Sequence, residues 1–265
     1  MIPKHLYQTY HTSSLPAALA DNVRRLRECN PGWGYTLFDD AQVEAFIQAE
    51  YGAALLKAYL GIHPSYGASR ADFFRYLLIY RRGGVYLDVK SITRRPLDAS
   101  LQADDQFILS RWRNQPGLPF SGWGQHDALR HLPGGEWQQW HIMAAPGHPY
   151  LKAVIDSVLS RMWRYHPLIQ GTGKRGVLWL TGPVAYTLAI EAIRDQHAHR
   201  AVDIEADFAV DYSFLGASQT AHQGLFRSHY SQSQQSLVRL RPWARAATPV
   251  IAALQAVKRR LRTAA

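Results

Sequence analysis

Between Asp72 and Lys90 the chain carries two carboxylates and two cations, Asp72, Arg75, Asp88 and Lys90, a set suited to a charged, oxygen-rich ligand. Asp72 and Arg75 stand at i and i+3, so a helix puts them on one face, close to the end where the helix dipole favours negative charge. Asp88 closes a short apolar run. In open α/β sheets ligands gather at the carboxyl ends of strands, so a carboxylate followed by Lys90 and Ser91 there points to a site. Each residue also has a plain structural account: Asp72 caps its helix and pairs with Arg75, and Asp88 opens a turn. For isolated residues that account carries more weight; their combination favours a site.

The elements that must position these residues are legible on either side. Ser69 precedes Asp72 at capping-box spacing, and Ala71, Phe74 and Leu78, with Phe73 and Leu77, then repeat at helical intervals. Gly83 and Gly84 stop that helix. Val85 to Val89 is nearly all apolar, as a parallel strand covered on both faces requires.

These residues resemble family 32 of the glycosyltransferases, sugar transferases with a DXD motif that include yeast-type mannosyltransferases and the catalytic domains of glucosylating toxins, and are related to bacterial capsular and lipopolysaccharide enzymes. The matching stretches are Ala71-Asp72-Phe73-Phe74-Arg75-Tyr76 and Gly83-Gly84-Val85-Tyr86-Leu87-Asp88. The motif's second aspartate is replaced by Lys90, giving Asp88-Val89-Lys90. The resemblance implies a GT-A type α/β sandwich with a mostly parallel sheet, which the alternation of apolar strand and helix patterns supports independently. It implies transfer of a sugar from a UDP- or GDP-sugar to a glycan or lipid-linked hydroxyl acceptor, with retention at the anomeric carbon. It also implies roles by matched position. Asp72 and Arg75 hold the donor, Tyr86 lies against the nucleoside, and Asp88 engages the ribose or a metal shell. Gln8, Thr9 and Tyr10 lie beside the base. Gly182 opens a helix facing the sugar, and His229 closes the site.

Lys90 sets two expectations against each other. In one, its ammonium meets the donor diphosphate and replaces a divalent cation, Mn or Mg. In the other, Lys90 points to solvent and Asp88 with His229 holds the cation. A protein that binds nucleotide sugars but has lost catalysis is the rival reading, with Lys90 as the lesion.

The rest of the chain adds elements and few chemical groups. Ile2 to Tyr10 reads as a strand and loop, Leu15 to Glu28 as a helix, Thr36 to Phe38 as a second strand, and Asp39-Asp40 as a helix cap. Phe107 to Leu109 is a strand. Arg111 to Trp140 is irregular and rich in Trp, Gly, Pro and His; of Trp112, Trp123, Trp137 and Trp140, one or two are expected to line a sugar site. His126, His131, His141 and His148 match no zinc spacing. A strand and Pro-Gly-His-Pro turn precede a helix from Tyr150 to Trp163. Leu178 to Thr181 reads as a strand end before a helix starting at Pro183. Gly171-Thr-Gly-Lys174 lacks phosphate-loop spacing.

The formal net charge is +10, but the eight Lys and Arg from Tyr212 onward stand among no Asp or Glu, which leaves +2 for residues 1–211. A near-neutral body with a basic end fits an anionic membrane surface, and no nucleic-acid signature accompanies it. The expected division is a catalytic domain over 1–240 and a basic amphipathic tail over 241–265, with Thr248 capping a helix that begins at Pro249 and carries Val250, Leu254, Val257 and Leu261 as one stripe. Cys29 is the only cysteine, and no signal peptide or membrane span is legible. A cytoplasmic protein, peripheral on the inner membrane face, is expected, acting in polysaccharide biosynthesis.

Overall fold

The computed structural model describes residues 1–215 and 233–263, without the side chains of 258–263. In chain order the elements are β1 (His5–Thr9), α1 (Ala17–Cys29), β2 (Gly34–Phe38), α2 (Asp40–Leu60), α3 (Gly67–Arg82), β3 (Gly84–Leu87), β4 (Ile92–Thr93), β5 (Phe107–Ser110), β6 (His141–Ala144), α4 (Pro149–Arg164), α5 (Pro167–Gln170), α6 (Gly173–Leu180), α7 (Pro183–Glu191), β7 (Arg200–Val202), α8 (Ile204–Phe208), β8 (Val210–Asp211) and α9 (Pro242–Thr263).

Six strands form one sheet in the order β2-β1-β3-β6-β5-β7. β1 pairs parallel with β2 and β3, and β5 with β7, while β6 runs antiparallel between β3 and β5. The sheet is therefore mostly parallel and flanked by helices, the α/β sandwich of GT-A type expected from the resemblance. Alternation along each strand divides the core. Tyr86, Phe107, Ile142 and Ala144 pack under α2, α3, α4 and α7, whereas Val85, Leu87, Ile108 and Met143 face Leu26, Trp140, Ile204 and Phe208. A strand covered on both faces is largely apolar, which is why Val85 to Leu87 carries no charged side chain and its one hydroxyl, on Tyr86, is partnered by Thr9.

The turn between α3 and β3 is set by two glycines in the left-handed region. Gly84 has φ +96°, and a Cβ there would lie 2.8 Å from the His5 carbonyl oxygen. A side chain at that position would push β3 away from β1, and with it Asp88 at the far end of the strand.

Four local expectations are corrected. Ser69 does not cap α3: the helix starts one turn earlier, with Arg70 N–H donating to the Tyr66 carbonyl, and the Ser69 hydroxyl meets Thr181 Oγ1 at 2.6 Å. β3 ends at Leu87, so Asp88, Val89 and Lys90 form a turn, in which Ser91 N–H donates to the Asp88 carbonyl. Residues 178–180 end a helix instead of a strand. In α6 the buried residues are Gly173, Gly176, Val177 and Leu180, a helical i, i+3, i+4, i+7 pattern that a short apolar run alone does not reveal. Finally, Thr248 does not start the last helix. α9 begins at Pro242 and carries Pro249 within it, while the Thr248 hydroxyl donates to the Ala244 carbonyl at 2.9 Å and meets His166 Nε2 at 3.1 Å.

Candidate active site

Arg75 is the centre of the polar cluster. It lies on α3 among Phe73, Phe74, Tyr76 and Leu77, all fully buried, so its guanidinium is held in the core and every donor needs a partner. Nη2 lies 3.0 Å from Asp88 Oδ1 and 3.3 Å from Asp72 Oδ1. Nη1 donates to the Gln139 carbonyl at 2.7 Å and to its side-chain oxygen at 3.1 Å, and Nε donates to the Ala71 carbonyl at 3.3 Å. The guanidinium also stands 4.7 Å from the centre of the Tyr86 ring. The Tyr86 hydroxyl is 2.9 Å from Thr9 Oγ1, and Gln8 Nε2 donates to the Asp88 carbonyl at 3.2 Å.

Asp72 is buried on the inner side of this cluster, accepting from Gln139 Nε2 at 3.0 Å and Thr181 Oγ1 at 3.1 Å. Asp88 is the partly open member, with 23% of its side chain exposed. The cluster thus presents one carboxylate edge to the outside and keeps its counter-ion and second carboxylate behind it.

Burial raises the pKa of Asp72 to about 6, against the pull of Arg75 and of the Gln139 and Thr181 hydrogen bonds. The ion pair and the burial act in opposite directions here. Burial prevails because Arg75 is shared with Asp88, which sits closer to it and itself disfavours a second negative charge. Burial also opposes the charge of Arg75, but Asp88, Tyr86 and Asp72 outweigh it and raise its pKa above the ordinary value.

A pH dependence follows. A carboxyl whose folded pKa lies above its unfolded value near 3.8 contributes stability that is complete below that value and lost as pH rises through about 6. The contribution is roughly 3 kcal/mol. Asp72→Asn should therefore flatten the stability curve between pH 4 and pH 6.5, read by thermal unfolding of both proteins. Parallel curves would mean that the ion pair, not burial, governs Asp72.

Lys90 lies apart from these direct contacts but within electrostatic reach of Asp88 and Arg75. It is 7% exposed, which excludes the expectation that it points to solvent. Its Nζ donates to the Tyr212 hydroxyl at 2.5 Å and stands 3.9 Å from the centre of that ring. Tyr212 is in turn packed edge-on by Trp112, Trp123 and Trp140. Burial lowers the Lys90 pKa to about 8, with Asp88 opposing and Arg75 assisting that shift. The turn carrying Lys90 is held from below by Asn22, whose Nδ2 donates to the Val89 and Ser91 carbonyls, both at 3.0 Å.

Residues 7–108 match the family described as a glycosyltransferase sugar-binding region containing a DXD motif. The chain belongs to that family. Over 207 residues this glycosyltransferase-family chain is 27% identical to the initiation-specific alpha-1,6-mannosyltransferase of Schizosaccharomyces pombe, covering 71% of the chain and 48% of the relative. Over 185 residues it is 31% identical to the mannosyl phosphorylinositol ceramide synthase CSH1 of Saccharomyces cerevisiae, covering 68% of the chain and 42% of the relative. The chain thus spans about half or less of the length of these curated relatives. They are fungal, like the yeast-type mannosyltransferases that the resemblance named, and not bacterial as was also expected. Among solved structures, PaToxG glycosyltransferase matches with 16% identity and a TM-score of 0.49, over 72% of this chain and 69% of that one.

In this family member the donor set suits an anion better than a resident dication. Of the motif, Asp88 alone offers oxygen, one of its atoms is engaged by Arg75, and the next charged side chain is an ammonium. No group of three His, Cys, Asp or Glu side chains among the described residues could hold a metal ion. His229 lies outside the described residues.

The other sequence candidates divide. Asp72, Arg75, Tyr86, Asp88, Gln8 and Thr9 come together. Tyr10 packs with Leu19, Val23 and Val89, behind the Asp88–Lys90 turn. The Gly182 N–H is committed to the Val177 carbonyl at 2.9 Å, and a Cβ there would meet Leu178 Cα at 2.9 Å, so the glycine allows α6 and α7 to join closely. Trp112, Trp137 and Trp140 are buried, and Trp123 joins the aromatic cluster of Trp112 and Trp140. Trp137 is fixed by Glu191 and Arg111. His141 meets Ser110 Oγ at 2.7 Å, and His148 caps α4.

Gln139, Thr181, Tyr212 and Asn22 were missed. Asn22 had a readable signal: it interrupts the buried stripe Leu19, Val23 and Leu26 of α1, where a buried amide calls for partners, which its Nδ2 finds and its Oδ1 does not. Gln139, Thr181 and Tyr212 had none, since their partners are distant in sequence.

Proposed function

We propose that the chain transfers a sugar from a nucleotide-sugar donor, UDP- or GDP-linked, to a hydroxyl of a glycan or lipid-linked acceptor, with retention at the anomeric carbon. The observation that carries this reading is the buried Asp72–Arg75–Asp88 cluster at the carboxyl end of β3, open to the outside only at Asp88. The names of the fungal relatives make a mannosyl donor the first to test.

In the transfer the bond from the anomeric carbon to the diphosphate oxygen breaks and a bond to the acceptor oxygen forms. The acceptor proton leaves with the departing nucleoside diphosphate. Asp88 takes hydroxyls of the donor as hydrogen-bond acceptor, and Arg75 fixes the orientation of Asp88 by holding its Oδ1 through Nη2 in a charge-assisted contact. The Tyr86 ring and Gln8 are buried, so they support the site from behind: Tyr86, held by Thr9, lies under Arg75, and Gln8 holds the Asp88 carbonyl. Negative charge developing on the diphosphate is met by Lys90, so that the reaction proceeds without Mn or Mg.

The test is turnover of a panel of UDP- and GDP-sugars by the purified chain, read as release of nucleoside diphosphate with and without a hydroxyl acceptor. Turnover of at least one donor is expected. Saturable donor binding with no release under any condition would replace the enzyme reading by that of a nucleotide-sugar binding protein.

A further inference from the structure

A second feature is built from α4, α5 and α9. α9 is amphipathic in two directions. One face, with Ala244, Thr248, Ile251 and Gln255, lies against the body: Ala244 is fully buried, Thr248 meets His166, and the Gln255 amide donates to the Leu168 carbonyl. A second stripe, Trp243, Val250, Leu254 and Val257, recurs at helical spacing about a third of a turn away and is 43%, 61%, 66% and 54% exposed. A helix that has already buried one face has no folding reason to keep a second apolar one in water.

Neighbouring elements continue the stripe. Trp163 at the end of α4 is 54% exposed, with the Arg241 guanidinium 3.6 Å over its ring, and Leu168 and Ile169 of α5 are exposed beside Gln255. In the two sequence segments that supply these residues the charges have one sign. From Ser157 to Ile190 the chain has no Asp or Glu but carries Arg161, Arg164, Lys174 and Arg175, and from Tyr212 to the end it again has none. Arg239, Arg241 and Arg245 precede or open α9, and Lys258, Arg259, Arg260 and Arg262 follow the stripe in sequence.

An exposed stripe of Trp, Leu and Val, bordered by cations with no carboxylate in either contributing segment, matches the two demands of an anionic bilayer surface: apolar side chains for the acyl boundary and positive charge for the headgroups. We propose that α9, with Trp163, Leu168 and Ile169, is a docking surface for anionic phospholipid membranes, on which the chain lies without crossing. No helix among the described residues is long and apolar enough to span a bilayer. A second copy of the chain fits less well, because a two-fold contact would bring the same uncompensated cations face to face. The proposal does not depend on the donor chemistry.

The test is flotation of the full chain with vesicles of phosphatidylcholine alone or containing phosphatidylglycerol, at low and high salt. Binding to the anionic vesicles should exceed binding to neutral ones by about tenfold or more and fall steeply with salt. The variant Val250→Ser/Leu254→Ser/Val257→Ser changes only exposed positions, so it should keep the wild-type unfolding midpoint and lose about tenfold in partitioning. Equal binding to both vesicle types, binding to neither, or an unaffected triple variant would overturn the proposal. So would a concentration-dependent dimer abolished by the triple variant, which would assign the stripe to a second copy.

Discussion

Arg75→Ala should both unfold the protein at lower temperature and abolish donor turnover, the largest single effect expected anywhere in the chain. The guanidinium is the shared counter-ion of Asp72 and Asp88, and its five donors serve those carboxylates, Gln139 and the Ala71 carbonyl. Removing it leaves a buried carboxylate at Asp72 with hydrogen bonds but no cation, and breaking a buried pair by deleting one partner costs about 3–5 kcal/mol. For a domain of this size that corresponds to a fall in Tm of roughly 10 °C. The catalytic consequence is separable from the structural one. Asp72→Asn/Arg75→Met removes the unpaired charge together with its partner and should recover most of the lost Tm while remaining inactive, because Asp88 no longer has the cation that orients it. Circular dichroism melts of the three proteins, with nucleotide release measured well below each midpoint, make the comparison. A double variant that regained both stability and turnover would reduce Arg75 to a core ion pair.

Lys90→Met is expected to have the opposite signature, a stabilised protein that turns over slowly. The Lys90 charge is buried and its pKa is lowered to about 8, so at pH 7 the folded state bears the cost of holding an ammonium in place. Methionine keeps the apolar stem against Tyr212 and removes that cost, which a shift of this size puts at roughly 3 kcal/mol. The linkage is explicit: with the folded pKa below the unfolded value near 10.5, wild-type stability rises as pH climbs from about 8 to 10.5, and the gain is lost as pH falls back through 8. Lys90→Met should lack that rise. Turnover should fall by about 10²-fold or more, because the positive charge facing the leaving diphosphate is gone. Wild-type kcat/KM should likewise decline above about pH 8, where Lys90 in the free protein loses its proton. Transfer should persist in EDTA. Activity abolished by EDTA and restored by manganese, with Lys90→Met nearly silent, would defeat the metal-free reading.

The two variants also show why a site of this kind is expensive to fold. Asp72, Arg75 and Lys90 are each less than 10% exposed, and each has a pKa displaced by burial or by its buried neighbours. A protein optimised for stability alone would replace them with apolar residues of similar volume. Their presence in an otherwise apolar α3 and its following turn is what singles the region out as the candidate site, and it is the feature that the sequence displayed most openly.

What the sequence by itself determined was local. The helix through Asp72 and Arg75 (though not its start), its glycine stop, the apolar strand and the carboxylate that follows it come from periodicity and glycine conformational freedom within one short stretch, so Asp72, Arg75 and Asp88 could be named together. The Asp39 cap with Gln42, the sheet strands at residues 34–38 and 107–110, and the exposed stripe at Val250, Leu254 and Val257 are local for the same reason. What only the tertiary structure decided was which distant residues complete each group. Gln139 reaches Arg75 and Asp72 from an irregular stretch, Thr181 reaches Asp72 from the α6–α7 junction, and Tyr212 encloses Lys90 across more than a hundred residues. The same holds where local rules misled. Ser69 has capping-box spacing, but its hydroxyl gains more from Thr181 in the core than from an N-terminus one turn away from the true one. Residues 178–180 are apolar enough for a strand, yet the edge available to them in space is the surface of α3, α4 and α7, which only a helix can pack against while satisfying its own backbone.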